Sequence, residues 1–298
     1  MSITSATTIT LGTAESSIDE IIQIADGAPV SLATDALQNM DRVHSYVRNA
    51  IDQGKVIYGL TTGVGSLVNT RLTAEQIADS QINMLRSHAC GTGADLSIRE
   101  TRAMMAVTLK SLLQGYSGVS SSLAIRLSEM LNRQVIPWSP SGGSVGYLIA
   151  TAHIGLSVFG EGKCWYQGQL LPSAQALALA GMSVVKPGPR EGHALIGGTY
   201  EITGLGCLAI ADFRRLLPVA DMAGGICLEA LCGNTRGYDA RLHQLRPHPG
   251  QLETARIMRS LLRDSEILET WKNHRVQAAL SLRCIPQIHG AVRDQLAH

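Results

Sequence analysis

The stretch Ser97-Ile98-Arg99-Glu100-Thr101-Arg102-Ala103-Met104-Met105-Ala106-Val107-Thr108-Leu109-Lys110-Ser111-Leu112-Leu113-Gln114-Gly115 decides how the rest of the chain is read. Ser97 and Glu100 stand three residues apart, the spacing at which each side chain satisfies the other's backbone N–H at a helix start. Met104, Met105, Val107, Leu109, Leu112 and Leu113 follow with helical recurrence, and Gly115 supplies a stop. The stretch predicts one capped, apolar helix.

The same signals recur along the chain. Thr73-Ala74-Glu75-Gln76 is a second capping box, followed by Ile77, Ile82, Met84 and Leu85. Further helices are predicted from Ser120 to Leu131, ending before Pro137, and from Leu171 to Leu179, ending at Gly181. Gln251 to Leu262 and Val276 to Gln295 also read as helical, the latter interrupted by Pro286. Strand-like alternation is local, around Lys163 to Leu171. Glycine-rich turns separate the helices at Gly59 to Gly65, Gly91 to Gly93, Gly142 to Gly146 and Gly197-Gly198. The chain shows no repeat, low-complexity segment or linker, so residues 1–298 are read as one mostly helical domain.

Composition agrees. Apolar residues make up 45% and aromatic ones only 4%, with Ala, Leu, Ile and Met favouring packed helices over sheets. A formal charge of +1 with no basic run argues against nucleic acid or an anionic membrane as partner. Cys90, Cys164, Cys207, Cys227, Cys232 and Cys284 form no CxxC pair, and their apolar neighbours predict buried, reduced thiols. Met1-Ser2-Ile3-Thr4 lacks a basic segment leading an apolar core, so no secretory signal is read there. The apolar region Gly204 to Gly233 is broken by Asp212, Arg214, Arg215, Pro218, Asp221 and Glu229, which predicts a buried helix pair rather than a membrane span. A soluble cytoplasmic protein is expected.

Taken bare, the glycine turns carry little chemistry. Gly59 to Gly65 lacks the dinucleotide pattern and the Gly-Lys-Ser/Thr of a phosphate loop. Ser141-Gly142-Gly143-Ser144-Val145-Gly146 offers a backbone nest for an anion. His243 and His248 flank Pro247 with no carboxylate at ligand spacing, so no metal site is expected.

The order of the turns is more specific. Tyr58-Gly59-Leu60-Thr61-Thr62-Gly63-Val64-Gly65, Asn83 through Ser87-His88 to Gly91, Gly115 to Val119, Gly143-Ser144-Val145-Gly146 and Ala152-His153-Ile154 follow one another. Then come Arg190-Glu191-Gly192 through Gly198-Thr199, Arg241-Leu242-His243, Arg246 to Gln251, and Ser281-Leu282-Arg283-Cys284-Ile285-Pro286-Gln287. From Tyr58 to the carboxyl terminus this series resembles the histidine/phenylalanine ammonia-lyase superfamily. The resemblance implies an all-α, long-helix bundle comprising the amino-terminal and central part of that architecture.

It also implies a reaction. In that family an electrophilic methylideneimidazolone forms from an internal Ala-Ser-Gly and captures the substrate amine. A tyrosine removes the weakly acidic β-proton, ammonia departs and an α,β-unsaturated acid remains, which requires electrophile, base and carboxylate anchor to act together. By position Tyr58 would be the base and Arg283 would hold the substrate carboxylate through its planar fork. Ser87-His88 matches the histidine-type members, so His88 would contact a substrate imidazole, and Gln277 falls on an active-site position. A small-molecule amino acid, a homotetramer and a cytoplasmic setting complete what the resemblance implies. Without it, Tyr58 is a turn cap, Arg283 the partner of an internal carboxylate, and His88 a helix-end histidine.

The pattern breaks where the Ala-Ser-Gly should follow Gly146, because the chain continues with Tyr147-Leu148-Ile149. Either the triad is lost, or the cyclised triad exists as one non-standard group outside the twenty-letter sequence, between Gly146 and Tyr147. The family's usual Asn is Gly197 here, the acidic residue after the triad is Tyr147, and an Asp and a second tyrosine near the end are Ala278 and Leu280. Family members also continue past the position of His298 with a helical region, so uncovered helix faces and association are expected. Three functions follow: an ammonia-lyase for histidine or a related aromatic amino acid, an inactive homologue or fragment that binds a partner or amino acid, and an aminomutase.

Overall fold

The computed structural model describes residues 7–65, 68–143 and 148–298. Helices account for most of them, as an all-α chain requires, and the contacts divide into two compact units, Met1–Leu208 and Ala209–His298.

The first unit opens with β1 (Ile9–Leu11), α1 (Ile18–Ala25), β2 (Val30–Leu32), α2 (Thr34–Asp52) and α3 (Ala74–His88). It continues through β3 (Thr92–Asp95), α4 (Ile98–Leu112), α5 (Ser121–Asn132), β4 (Ile136–Pro137), β5 (Pro140–Gly142) and α6 (Ile149–Val158). β6 (Lys163–Tyr166), β7 (Gln169–Pro172), α7 (Ser173–Leu179) and α8 (Glu191–Ile196) complete it, with the first part of α9 (Tyr200–Ala230).

α4 is the stretch that began the reading, and both halves of its capping box form. Ser97 N–H donates to Glu100 Oε2 at 2.7 Å, and Glu100 N–H to Ser97 Oγ at 3.2 Å. Ala103, Met104, Met105, Ala106, Leu109 and Leu112 are fully buried, so α4 is the spine of this unit's core. Arg102 sits among them without a carboxylate. Its Nε donates to Ile24 O at 2.8 Å and its Nη1 to Leu131 O at 2.9 Å, adding a second donor to carbonyls in the last turns of α1 and α5 that otherwise accept only from the turn N–H groups that follow. The capping box at Thr73 and Gln76 forms as well.

Short strands staple the helices together. β1 pairs in parallel with β2, β3 antiparallel with β5, and β4-β6-β7 form a small antiparallel sheet. The predicted strand signal at Lys163 to Leu171 is the β6–β7 hairpin, so the helix expected from Leu171 starts instead at Ser173. Residues 91–93, expected as a turn, lead into β3, whose backbone groups are taken up by β5.

The second unit holds the rest of α9, a 3₁₀ turn at Arg236–Tyr238, α10 (Ala240–Gln244), α11 (Pro249–Leu261), α12 (Glu266–Thr270), α13 (Leu280–Arg283) and α14 (Ile285–Ala297). Its own core gathers Leu228, Tyr238, Met258, Leu262, Leu268 and Ile285. α11 and α14 pack so closely that a β-carbon on Gly250 would lie 2.1 Å from Gly290 O. Asp221, fully buried, accepts from His289 Nδ1 at 2.8 Å and from Arg293, which also donates to Thr254 Oγ1 at 2.9 Å.

Two expectations need correcting here. The apolar region read as a helix pair is the single 31-residue α9, because Asp212, Arg214 and Arg215 are solvated on its surface and Asp221 is ion-paired, rather than marking a break. By length and composition the helical span Glu191–Ala230, of which α9 is the greater part, is long and apolar enough to cross a membrane. The stretch read as helical from Val276 begins only at Leu280, while its expected interruption at Pro286 is present, α13 ending at Arg283 and α14 starting at Ile285. Pro286 stands in the first turn of α14, where its missing N–H costs nothing.

Candidate active site

Tyr58 stands on a turn between α2 and α3 that is built from the inside. Thr61 is buried, and its Oγ1 accepts from Ile57 N–H at 2.8 Å while donating to Lys55 O at 2.7 Å. Leu72 N–H donates to Thr61 O at 3.0 Å, which ties the turn to the approach to α3. Leu60 anchors it in the interior, and the Tyr58 ring is left 54% exposed. Gly59 adopts φ +64°, and a β-carbon there would lie 2.8 Å from His193 Nδ1. The Tyr58 turn is therefore seated directly on an imidazole of α8, with the two rings edge to face and their centres 6.5 Å apart.

His193 is held from several sides. Its backbone N–H donates to Oε1 of the buried Gln81 on α3 at 3.1 Å. Arg190 Nη1 lies 2.9 Å from His193 Nδ1. Arg190, the residue before α8, has a left-handed backbone that turns its guanidinium back over the helix it opens. A guanidinium only donates, so Nδ1 accepts, and the neutral imidazole carries its proton on Nε2. Burial, then the Arg190 charge, pull the His193 pKa below its ordinary value, with the Gly59 carbonyl opposing and His88 adding to the fall. Glu191, next in sequence, turns away: its buried carboxylate accepts from Ser120 Oγ at 2.6 Å and Gly188 N–H at 2.7 Å.

His88 ends α3. Its Nδ1 donates to Met84 O at 2.8 Å, which leaves Nε2 as the acceptor of the neutral ring. Gly197 closes α8, within 3.0 Å of His193 O for an added β-carbon. His153 contributes a structural tie, accepting from Gly91 N–H at 3.2 Å while packing edge-on to Trp138, and burial lowers its pKa. Tyr58 and Gly197 thus stand against His193 in the first unit, which also holds His88.

In the second unit, Gln277 and Arg283 line one cavity of about 610 Å³ together with Asn234, Arg236, His243 and Gln287. Arg283 Nε is buried and has no hydrogen-bond partner among the described residues. Gly237 packs on the Arg283 backbone, and Tyr238 Oη donates to Leu282 O at 2.7 Å, which fixes the segment that presents the guanidinium. Burial pushes the Tyr238 phenol up to about 12. His243 is committed, accepting from Gln251 at Nδ1 and donating from Nε2 to Gly237 O. A larger cleft of about 830 Å³ is lined by Asp264, Glu266, Glu269 and Lys272 and holds neither Gln277 nor Arg283. Its acidic rim ill suits a carboxylate.

Gly146 and Tyr147, expected next to the electrophile, lie outside the described residues, as does the half of the suggested nest that follows Gly143. No cluster of His, Cys, Asp or Glu able to hold a metal occurs among the described residues. The cysteines are free thiols, but only Cys164 and Cys207 are buried as expected; Cys232 and Cys284 are half-buried, and Cys90 and Cys227 are exposed because they fall on outward positions just past α3 and on α9. Sequence reasoning gave no role to His193 and Arg190, although both lie in the family series, nor to Gln81. Arg190 and His193 stand three apart, a spacing that brings side chains together on a helical turn.

The sequence model of the family described as "Aromatic amino acid lyase" matches residues 16–298. A histidine ammonia-lyase from Sorangium cellulosum is 44% identical over 278 residues, 91% of this chain and 54% of the relative. One from Koribacter versatilis is 40% identical, covering 94% of this chain and 55% of the relative. Among solved structures, a tyrosine aminomutase from Streptomyces globisporus superposes with a TM-score of 0.91 at 30% identity, over 98% of this chain and 60% of that one. Histidine ammonia-lyase from Trypanosoma cruzi gives 0.86 at 26% identity, over 97% and 54%. The chain spans about half the length of the curated relatives it matches.

Proposed function

The chain belongs to the aromatic amino acid lyase family, and on that premise we propose that it is of the histidine ammonia-lyase type. Its reaction class is non-oxidative elimination of ammonia from histidine or a related aromatic amino acid, giving an α,β-unsaturated acid. The observation that carries the reading is the exposed Tyr58 phenol seated beside His193, in the same unit as His88. Tyr58 takes the β-proton. His88, with Nε2 left as acceptor, receives the N–H of a substrate imidazole. Arg283 and Gln277 bind the substrate carboxylate and neighbouring polar atoms, the unpartnered Arg283 Nε being a donor in want of an acceptor. A cytoplasmic homotetramer belongs to the same reading.

The family's methylideneimidazolone, which activates the amine as a leaving group, is made from an Ala-Ser-Gly in the chain itself. These 298 residues contain no Ala-Ser-Gly, so the residues present do not fit the group. The departure of ammonia is therefore assigned to none of them. That absence favours a second reading, a homologue that binds an aromatic amino acid without turning it over.

Intact mass of the purified protein separates the two. A mass above that of the 298 residues by Ala-Ser-Gly less two waters, mapped after Gly146, supports the lyase; release of urocanate from histidine then completes the case. A mass equal to the sequence, with histidine bound but unchanged, leaves the binding homologue. A β-amino acid as product identifies an aminomutase instead.

A further inference from the structure

His193 has no assigned part in the reaction above, yet it is the best-anchored polar group beside Tyr58. Its main chain is fixed by Gln81, its Nδ1 by Arg190, and its ring edge by the Gly59 backbone. No side chain among the described residues hydrogen-bonds its Nε2, and the Gly59 carbonyl lies against the ring. Of the charged groups on the packed elements, Arg190 holds Nδ1, His88 at the end of α3 opposes a positive charge on the ring, and Lys55 on the Tyr58 turn is drawn to the Tyr46 face at 5.7 Å. Among the described residues no carboxylate stands against the imidazole, and Glu191 is occupied by Ser120 and Gly188.

We propose that His193 is the positioning residue of Tyr58, its Nε2–H donating a hydrogen bond to the phenol oxygen in its anionic form. The inference rests on Tyr58 as the base. A phenol oxygen and an imidazole nitrogen both project beyond their ring centres, so rings 6.5 Å apart are at a separation such a bond can bridge after a small swing of the exposed phenol. Arg190 makes the direction of the bond definite. With Nδ1 already accepting, the neutral ring is a donor at Nε2 and cannot take the tyrosine proton, which leaves to solvent. The phenolate then accepts the substrate's β-proton while the imidazole keeps its own. A donor aimed at an oxyanion favours that form, and a charge-assisted bond in a half-buried setting is worth about a factor of ten.

The test reads Tyr58 directly and needs no turnover. Tetranitromethane nitrates the phenolate form of tyrosine, and peptide mass spectrometry gives the rate at each position. The rate at Tyr58 is taken relative to Tyr116, which is 91% exposed and serves as internal reference. Expected is a relative rate about tenfold lower in His193→Leu than in the unaltered protein, with His193→Gln, which keeps an N–H donor, recovering most of it. Circular dichroism shows whether each variant is folded. Nitrogen-15 NMR of His193 should show the Nε2–H tautomer. Equal relative rates in all three proteins, or an Nδ1–H tautomer, overturn the proposal. Fast Tyr58 nitration without release of an unsaturated acid counts against the lyase reading alone.

Discussion

Gly59 and His193 are in contact across two segments 134 residues apart in sequence, with no room for a β-carbon between them: one added to Gly59 would fall 2.8 Å from Nδ1 and 2.9 Å from Cε1. The turn that carries Tyr58 is registered on α8 by this contact.

Gly59→Ala should therefore be harmful twice, through the left-handed backbone and through the imidazole. A loss of about 1–3 kcal/mol in urea unfolding is expected. An unchanged midpoint would mean that the turn is not seated on His193.

Stability should depend on pH through His193 and His153, whose pKa values burial sets below the ordinary 6.5. The unfolded chain then binds protons that the native protein refuses. The stabilisation is complete above about pH 6.5 and falls as pH drops from there towards the lowered native values. Urea midpoints measured on both sides of that window check the sign, and His153→Gln should flatten the slope.

Asp221→Asn should cost about 3–5 kcal/mol, since it keeps the shape but leaves the half-buried Arg293 without its carboxylate. Chemical denaturation monitored in the second unit reads it. A change below about 1 kcal/mol would show that the network is dispensable.

Arg283→Lys should weaken binding of histidine about tenfold while leaving histidinol, which lacks the carboxylate, unaffected. Calorimetry with both ligands makes the comparison. Parallel losses would place Arg283 away from the carboxylate.

How much of this was readable beforehand follows from the range of each interaction. The boxes at Ser97–Glu100 and Thr73–Gln76 are local, and both formed as written. The family series from Tyr58 onward carried the fold, because turn order survives where single glycines say little. What escaped depends on distance in sequence. The pairing of Ile9 with Val30, the capping of α1 and α5 by Arg102, and the seating of Tyr58 on His193 join residues whose neighbours give no sign of one another. α9 misled for a different reason: its charged residues, taken as breaks, are solvated or paired along an unbroken helix.

α9 also passes through the boundary between the two units, which falls between Leu208 and Ala209 in its interior. Modules that recombine in evolution, or that proteases release intact, are usually joined by exposed irregular chain. Here a cut at the boundary would open a helix and strand up to four donors on one side and four acceptors on the other. The parts of the chain bearing Tyr58 and Arg283 are thus joined through continuous helix rather than through a linker.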